Sequence, residues 1–298
     1  MRTGAFCSLL TVPFVLLSMN AFAQSGDYTV LKQGQSVSLD AMLTDLAKAN
    51  VVFVGEEHDH KQGHQLELTI LQGLYAKNTK EAFGLEMFER DVQPVVDEFL
   101  SDFISESSFL AASRPWPNYK TDYAPLMNFC KEKHIPVVAS NAPRRYVSIV
   151  SRKGPDALQA LPKASKANLA ALPYSLEIPD GYNKQLDGVF EGPHGGANQM
   201  PGMPTIDNMK KSQMLWDVTM ADSIARFVRK SHRPLVHING AMHSDSGFGA
   251  ADRLHRQSPG LKIMRVTIRP SATYPTPPSD LAADIADFVI VTPTQKGS

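Results

Sequence analysis

Carboxylate and imidazole side chains follow several short apolar runs of this sequence, at the point where each run ends. Glu56 and His58 come soon after the first run, Glu86 comes directly after the second, and His243 lies a few residues beyond the fourth. Such groups, when gathered in one cleft, can bind a divalent metal ion, transfer protons or help to hold an acidic ligand. A structural network of ion pairs that closes one edge of a sheet is the alternative that these residue types leave open.

The apolar runs have the composition of buried parallel strands, because they are short, continuous and rich in β-branched residues. Strands are predicted at residues 51–54, 82–85, 135–139, 234–238, 263–268 and 288–291. Segments with apolar residues at helical spacing lie between them, at residues 65–75, 92–103, 124–133 and 208–229. This alternation predicts an α/β fold with a mainly parallel β-sheet flanked by helices. Ligands bind such sheets beyond the carboxyl ends of the strands, which is where the polar residues lie.

A long interruption separates the third predicted strand from the fourth. Residues 155–205 are rich in Pro, Gly, Ala, Lys and Met, and they show no strand pattern. We interpret them as a helical insertion that forms a smaller subdomain, with a Gly- and Pro-rich loop that can lie over the sheet edge. His194 is the residue that this loop can present best, because Pro193 and Gly195 flank it.

Imidazole, phenol and thioether groups in and near the insertion belong to the side-chain types that serve as axial ligands of haem iron. An aromatic segment at residues 116–119 and a basic segment after the third predicted strand add further candidates. The candidate cofactor-binding residues are His194, Tyr182, Tyr119, Tyr146, Arg144 and Met203. The spacing leaves open which of them contacts a ligand.

The amino terminus has the pattern of a cleaved signal peptide over residues 1–23. Arg2 is followed by an apolar run that is too short to span a bilayer, and residues 21–23 form a small-x-small cleavage sequence. We therefore expect a periplasmic or secreted protein whose mature part, residues 24–298, is an α/β domain without a membrane span.

Cysteine content and charge narrow the functional classes. Removal of the signal peptide takes away Cys7 and leaves Cys130, which by itself cannot form an internal disulfide or a thiolate metal site. Its apolar surroundings predict a buried thiol. The chain has 30 basic and 30 acidic residues, and this balance argues against a nucleic-acid partner.

Six segments together resemble the ChaN-like haem-binding family of exported bacterial proteins, in the superfamily that includes Tiki-type proteases and erythromycin esterases. They are residues 51–59, 84–90, 114–119, 139–146, 237–245 and 287–293. The resemblance implies an α/β fold with a smaller helical part, and haem binding in iron uptake between two subunits with tyrosine ligation. It also implies a shared superfamily site formed by Glu56, His58, Glu86, Arg90, Asn239 and His243.

Two functions follow from these observations. The first is an exported haem-binding protein that acts in haem or iron uptake as a homodimer. The alternative is an esterase or peptidase in which His58, or a divalent metal with His58 and His243 as candidate ligands, activates water. Glu56 or Glu86 would act as the base, and His243 would stabilise the developing charge. No G-x-S-x-G sequence is present, which argues against a serine hydrolase. A partner-binding module without chemistry is a third option.

Overall fold

One β-sheet organises the part of the chain that the computed structural model describes, which is residues 27–191 and 203–294. Its eight strands are β1 (Thr29–Lys32), β2 (Gln35–Val37), β3 (Val51–Glu56), β4 (Ala82–Glu89), β5 (Val137–Asn141), β6 (Leu235–Gly240), β7 (Ile263–Ser271) and β8 (Phe288–Pro293). They lie in the order β2-β1-β8-β7-β3-β6-β4-β5. The predicted signal peptide and His194 fall outside the described residues.

Strands β3 to β8 are parallel to one another, as the alternation of strands and helices predicts, and β8 also pairs with β1 in the antiparallel direction. Strand β6 lies between β3 and β4, so Val51 and Ala82 both face Leu235 in register. The antiparallel strands β1 and β2 were not predicted from the sequence. They have four and three residues, are mostly half-buried or exposed, and so have no continuous apolar run.

Ten α-helices are found in the described residues. They are α1 (Leu39–Leu46), α2 (Lys61–Lys77), α3 (Gln93–Leu100), α4 (Glu106–Ser113), α5 (Ala124–Glu132), α6 (Arg144–Lys153), α7 (Lys163–Lys166), α8 (Asp180–Phe190), α9 (Ile206–Ser231) and α10 (Gly249–Gln257). Helices α2, α3 and α5 contribute to the core on one face of the sheet, and α9 and α10 to the core on the other. Buried apolar layers on both faces explain the continuous apolar run at the start of β3 and the mainly apolar composition of β4 and β6. Within the described residues no helix combines the length and apolar composition that crossing a bilayer requires.

Several predicted element ends differ from the structure by a few residues, and two of these differences have a clear physical reason. Strand β4 runs to Glu89 rather than stopping at residue 85. The Glu86 carboxylate can lie within the sheet because it accepts a hydrogen bond from the Gly240 N–H. Helix α3 ends at Leu100 rather than at residue 103. Asp102 has a left-handed φ of 60°, and Phe103 is 81% exposed, so its apolar side chain does not belong to the buried face.

The described part of the insertion packs beside the sheet rather than within it. It contains a 3₁₀ helix (Pro155–Ala160), α7 and α8. Leu158, Tyr182 and Leu186 form a separate apolar cluster with residues of α6 and α9. This cluster holds α8 against the first half of α9, close to the carboxyl ends of β6 and β4.

Candidate functional site

A cleft of about 1110 Å³ lies at the carboxyl ends of the central parallel strands. His58, Glu86 and His243 all line it. They come from three regions of the chain, and the sheet order brings them together because β6 separates β3 from β4. The meeting of these side chains in one crevice is what the polar strand ends predict.

Glu56 and His58 form the pair on the β3 side of the cleft. The Glu56 carboxylate is buried, and its Oε1 atom accepts hydrogen bonds from His58 Nδ1 at 2.7 Å and from the Tyr123 hydroxyl at 2.5 Å. Burial, reinforced by the charge of Glu67, raises the pKa of Glu56 to about 7. Because Nδ1–H donates to Glu56, Nε2 of the neutral His58 imidazole carries a lone pair, and it contacts no hydrogen-bonding group among the described residues.

The His58 ring is held between Trp116 and Gly240. Its side chain is 51% exposed, and it contacts the Trp116 indole edge-on with ring centroids 4.6 Å apart. A Cβ atom on residue 240 would lie 2.9 Å from both Cε1 and Nε2 of His58, which is closer than real Cβ contacts come. Glycine at this position is therefore what allows the imidazole to lie across the end of β6.

Glu86 and His243 form the pair on the β6 side of the cleft. Glu86 Oε2 accepts the Gly240 N–H at 2.7 Å, and Glu86 Oε1 lies 3.5 Å from His243 Nε2. His243 Nδ1 lies 2.6 Å from Asp217 Oδ1, and Asp217 Oδ2 accepts the Tyr182 hydroxyl at 2.8 Å. Desolvation opposes a charge on His243, but the negative charges of Glu86 and Asp217 outweigh it and raise the pKa of His243 to about 9.

Arg90 and Asn239 lie outside this cleft. The Arg90 guanidinium pairs with Asp222 at 2.9 Å and donates to Ser223, so it fixes α9 rather than joining the strand-end site that the family resemblance implies. Asn239 donates to Ser244 Oγ at 3.0 Å inside the β6 turn. Both residues therefore stabilise the elements that surround the cleft, namely α9 and the turn after β6.

The candidate cofactor-binding residues are dispersed in the structure. Arg144 lines the cleft and places its guanidinium 5.9 Å from the centre of the Trp216 ring. Tyr119 and Tyr182 are 2% and 1% exposed, and Tyr146 is also buried, so these three phenols do not line the cleft. Met203 is 59% exposed just before α9.

Four functional neighbours were not identified from the sequence, namely Asp217, Trp216, Lys61 and Tyr123. Asp217 had a usable signal, because it lies on the buried face of α9 at helical spacing from Ala221 and Ile224. An acidic residue on such an apolar face needs a partner. Trp216, Lys61 and Tyr123 carry no comparable signal, since each becomes part of the site only through helix packing.

The walls of the cleft combine apolar surface with positive charge. Trp116 and Trp216 contribute indoles, and Met87 and Met242 contribute thioethers. Among the residues that the structure describes, Lys61 and Arg144 line the cleft without an ion pair, whereas Arg114 is paired with Glu89 and Asp91. Acidic residues, namely Asp59, Glu86, Glu89 and Asp122, also line the cleft. The indoles and the two cations without ion pairs suit a large, mostly apolar ligand that carries anionic groups.

Fold and site together define an α/β ligand-binding protein with a histidine- and glutamate-lined cleft at the carboxyl ends of its strands. The chain belongs to the family described as haem-binding uptake, Tiki superfamily, ChaN, whose model matches residues 42–254.

Solved structures share the architecture. The structure titled "Cofacial heme binding to ChaN of Campylobacter jejuni" superposes with a TM-score of 0.68 at 19% identity, over 89% of this chain and 96% of that one. The type III effector HopBA1 gives a TM-score of 0.50 at 12% identity, over 85% of this chain and 91% of that one. At these identities the matches show the fold, and they do not favour a hydrolase.

A curated plant protein is also similar in sequence. Protein RETICULATA-RELATED 5, chloroplastic, from Arabidopsis thaliana is 21% identical over 277 residues. The match covers 88% of this chain but 37% of the plant protein. The chain therefore spans little more than a third of the length of that relative.

Proposed function

We propose that this protein binds haem in the cleft at the carboxyl ends of β3, β4 and β6. One observation carries the proposal: the cleft combines two indoles, two cations without ion pairs and an imidazole with an available nitrogen. Membership of a haem-binding uptake family supports the same ligand.

The residues of the cleft fit the chemistry of haem. Trp116 and Trp216 offer apolar surface to a porphyrin plane, and Lys61 and Arg144 offer positive charge to its two propionates. His58 offers Nε2 as an axial ligand, since its Nδ1–H is already donated to Glu56. Bound haem supplies an iron centre whose reactivity the axial ligand and the surrounding polarity control.

Absorption spectroscopy tests this proposal directly. Titration of the mature protein with ferric haem should shift the Soret band and saturate at one haem per chain. His58→Ala should change the band position and weaken binding at least about tenfold, because an axial bond is lost. Arg144→Gln should weaken binding only a few-fold, since it removes one partly solvated ion pair.

Controls separate a specific site from adsorption of a hydrophobic ligand. His255 is exposed in α10 and does not line the cleft, so His255→Ala should bind haem like the wild type. A spectrum that stays at that of free haem throughout the titration would refute haem binding. Equal spectra for the His58 and His255 variants would refute the axial role of His58.

We further propose that the protein acts in haem or iron uptake outside the cytoplasm, as a homodimer. The pattern of residues 1–23 supports export, and the cofacial haem binding named for the Campylobacter structure supports pairing of two haem sites. Expression of the full chain in a bacterium should yield a periplasmic product that begins at Gln24. Its mass in solution with haem should be twice that of one chain. A cytoplasmic, uncleaved product or a monomer with bound haem would contradict these two points.

A further inference from the structure

A second group of ionisable side chains lies behind the wall of the cleft, between β3 and α2. It consists of Glu56, His64 and Glu67, whose side chains are 2%, 3% and 0% exposed. One ligand atom from each lies within 4.8 Å of the others. Neither His64 nor Glu67 lines the cleft, so this pocket is distinct from the site proposed for haem.

The hydrogen bonds of His64 determine how its imidazole is oriented. Its Nε2 atom lies 3.2 Å from the main-chain carbonyl oxygen of His58. A carbonyl oxygen can only accept, so Nε2 carries the proton and donates it. In the neutral ring the lone pair of Nδ1 then faces two carboxylates, with Glu67 Oε2 at 3.0 Å and Glu56 Oε2 at 3.4 Å.

Two carboxylate oxygens in this pocket have no hydrogen-bond donor. Glu56 Oε1 is satisfied by His58 and Tyr123, but Glu56 Oε2 is buried without a donor, and Glu67 Oε1 is too. Buried oxygens of this kind cost free energy unless a donor or a cation meets them. One ligand atom from each of three buried side chains thus converges on one small volume.

We propose that Glu56, His64 and Glu67 bind a divalent cation of the zinc type. Donor atoms bound to one tetrahedral zinc ion at about 2.0–2.2 Å stand roughly 3.3–3.6 Å apart, close to the separations of Nδ1 from the two carboxylates. An imidazole that ligates a metal usually donates its other N–H to a carbonyl or carboxylate, as His64 does. The ligand set differs from His58 and His243, the pair that the strand ends suggested.

The proposed cation has a consequence for the cleft. Glu56 would bind the cation through Oε2 while its Oε1 still accepts the His58 N–H, so one carboxylate would join the two sites. The inference goes beyond haem binding and does not depend on it.

Metal binding is tested on the full mature chain without haem. After treatment with a chelator and dialysis, zinc chloride alone should bind at one equivalent per chain and raise the Tm. Glu67→Gln keeps the side-chain shape and should weaken zinc binding by about 100-fold or more, because it removes a ligand. Glu57→Gln is the matched control, since Glu57 is half-exposed near Arg269 and should leave zinc binding unchanged.

Further measurements distinguish the proposed zinc site from the haem cleft, and they provide a test if the Glu67 variant does not fold. His243→Gln should retain zinc, and haem titration of Glu67→Gln should still shift the Soret band, so the two proposals fail independently. If Glu67→Gln does not fold, X-ray absorption of the zinc-loaded wild type should show one imidazole nitrogen and carboxylate oxygens. No zinc binding by the wild type, or loss of zinc in His243→Gln with retention in Glu67→Gln, would overturn the proposal.

Discussion

Two carboxylate–histidine pairs lie at the strand ends, and their histidines differ in exposure. His58 is paired with Glu56, and half of its side chain is exposed. His243 is paired with Asp217, and its side chain is 4% exposed. The same two residue types therefore give one imidazole that meets the cleft and one that is enclosed by protein.

The two imidazoles also differ in the charged groups that surround them. His243 lies between Asp217 and Glu86, and it keeps its proton because its pKa is raised to about 9. Burial disfavours the charged form of His58, but its hydrogen bond to Glu56 and the charge of Glu86 raise its pKa as well. His243 has acidic partners at both ring nitrogens, whereas Nε2 of His58 faces the cleft. His243 therefore carries a structural positive charge, whereas His58 is the histidine through which we propose that haem binds.

The largest expected effect comes from removing the carboxylate that supports His243. In Asp217→Asn the buried imidazolium loses one of its two counter-charges. We expect a loss of about 3 kcal/mol in the free energy of unfolding near pH 7, in the range found when one partner of a buried pair is removed. Urea unfolding measures it, with Asp284→Asn, an exposed residue, as the control. Equal stability of the two variants would show that Asp217 does not carry this role.

The same pair predicts how stability depends on pH. Because the folded pKa of His243, about 9, lies above its ordinary value of 6.5, the stabilisation is complete below pH 6.5 and is lost as the pH rises through 9. At about 1.4 kcal/mol for each pKa unit, the wild type should lose about 3 kcal/mol across this window. Asp217→Asn should lose much less. If the free energies of unfolding of the wild type and of Asp217→Asn change in parallel with pH, the proposed difference between the two histidines is wrong.

A smaller effect is expected where the backbone of β6 meets His58. Gly240→Ala would place a methyl group 2.9 Å from two atoms of the imidazole, which must then turn away from its present position. Haem affinity should fall about tenfold, equivalent to about 1.4 kcal/mol. The backbone φ of −52° at residue 240 suits alanine, so stability should change by less than about 1 kcal/mol.

Gly188→Ala is the matched control for this substitution. Gly188 lies in α8, and nothing lies within 4 Å of its Cβ position. Haem binding should be unchanged, and the helix should gain a few tenths of a kcal/mol or more. Unaltered haem affinity in Gly240→Ala would mean that the position of His58 is not important for binding.

Much of the sheet was predictable because its central strands are buried on both faces. Residues 51–54, and all of 234–238 except the buried His237, are apolar because helices cover both sides of the sheet, and such runs are easily recognised. The short strands β1 and β2 were not recognisable, since partly exposed residues carry no strong apolar pattern. The same limit applies to the end of α3, where a left-handed residue after Leu100 interrupts an apolar spacing that continues in sequence.

The sequence by itself determined which side chains lie at the strand ends, because polar residues mark the point where each buried apolar run stops. Glu56, His58 and His243 belong to this group. Only the tertiary structure decided their partners. Strand β6 lies between β3 and β4, and this brings Glu86 to Gly240, which is 154 residues away in the sequence. Helix α9 packs beneath the cleft, and this brings Asp217 to His243, 26 residues away. Pairing across such distances depends on the order of strands in the sheet, and a local pattern of residues carries no information about that order.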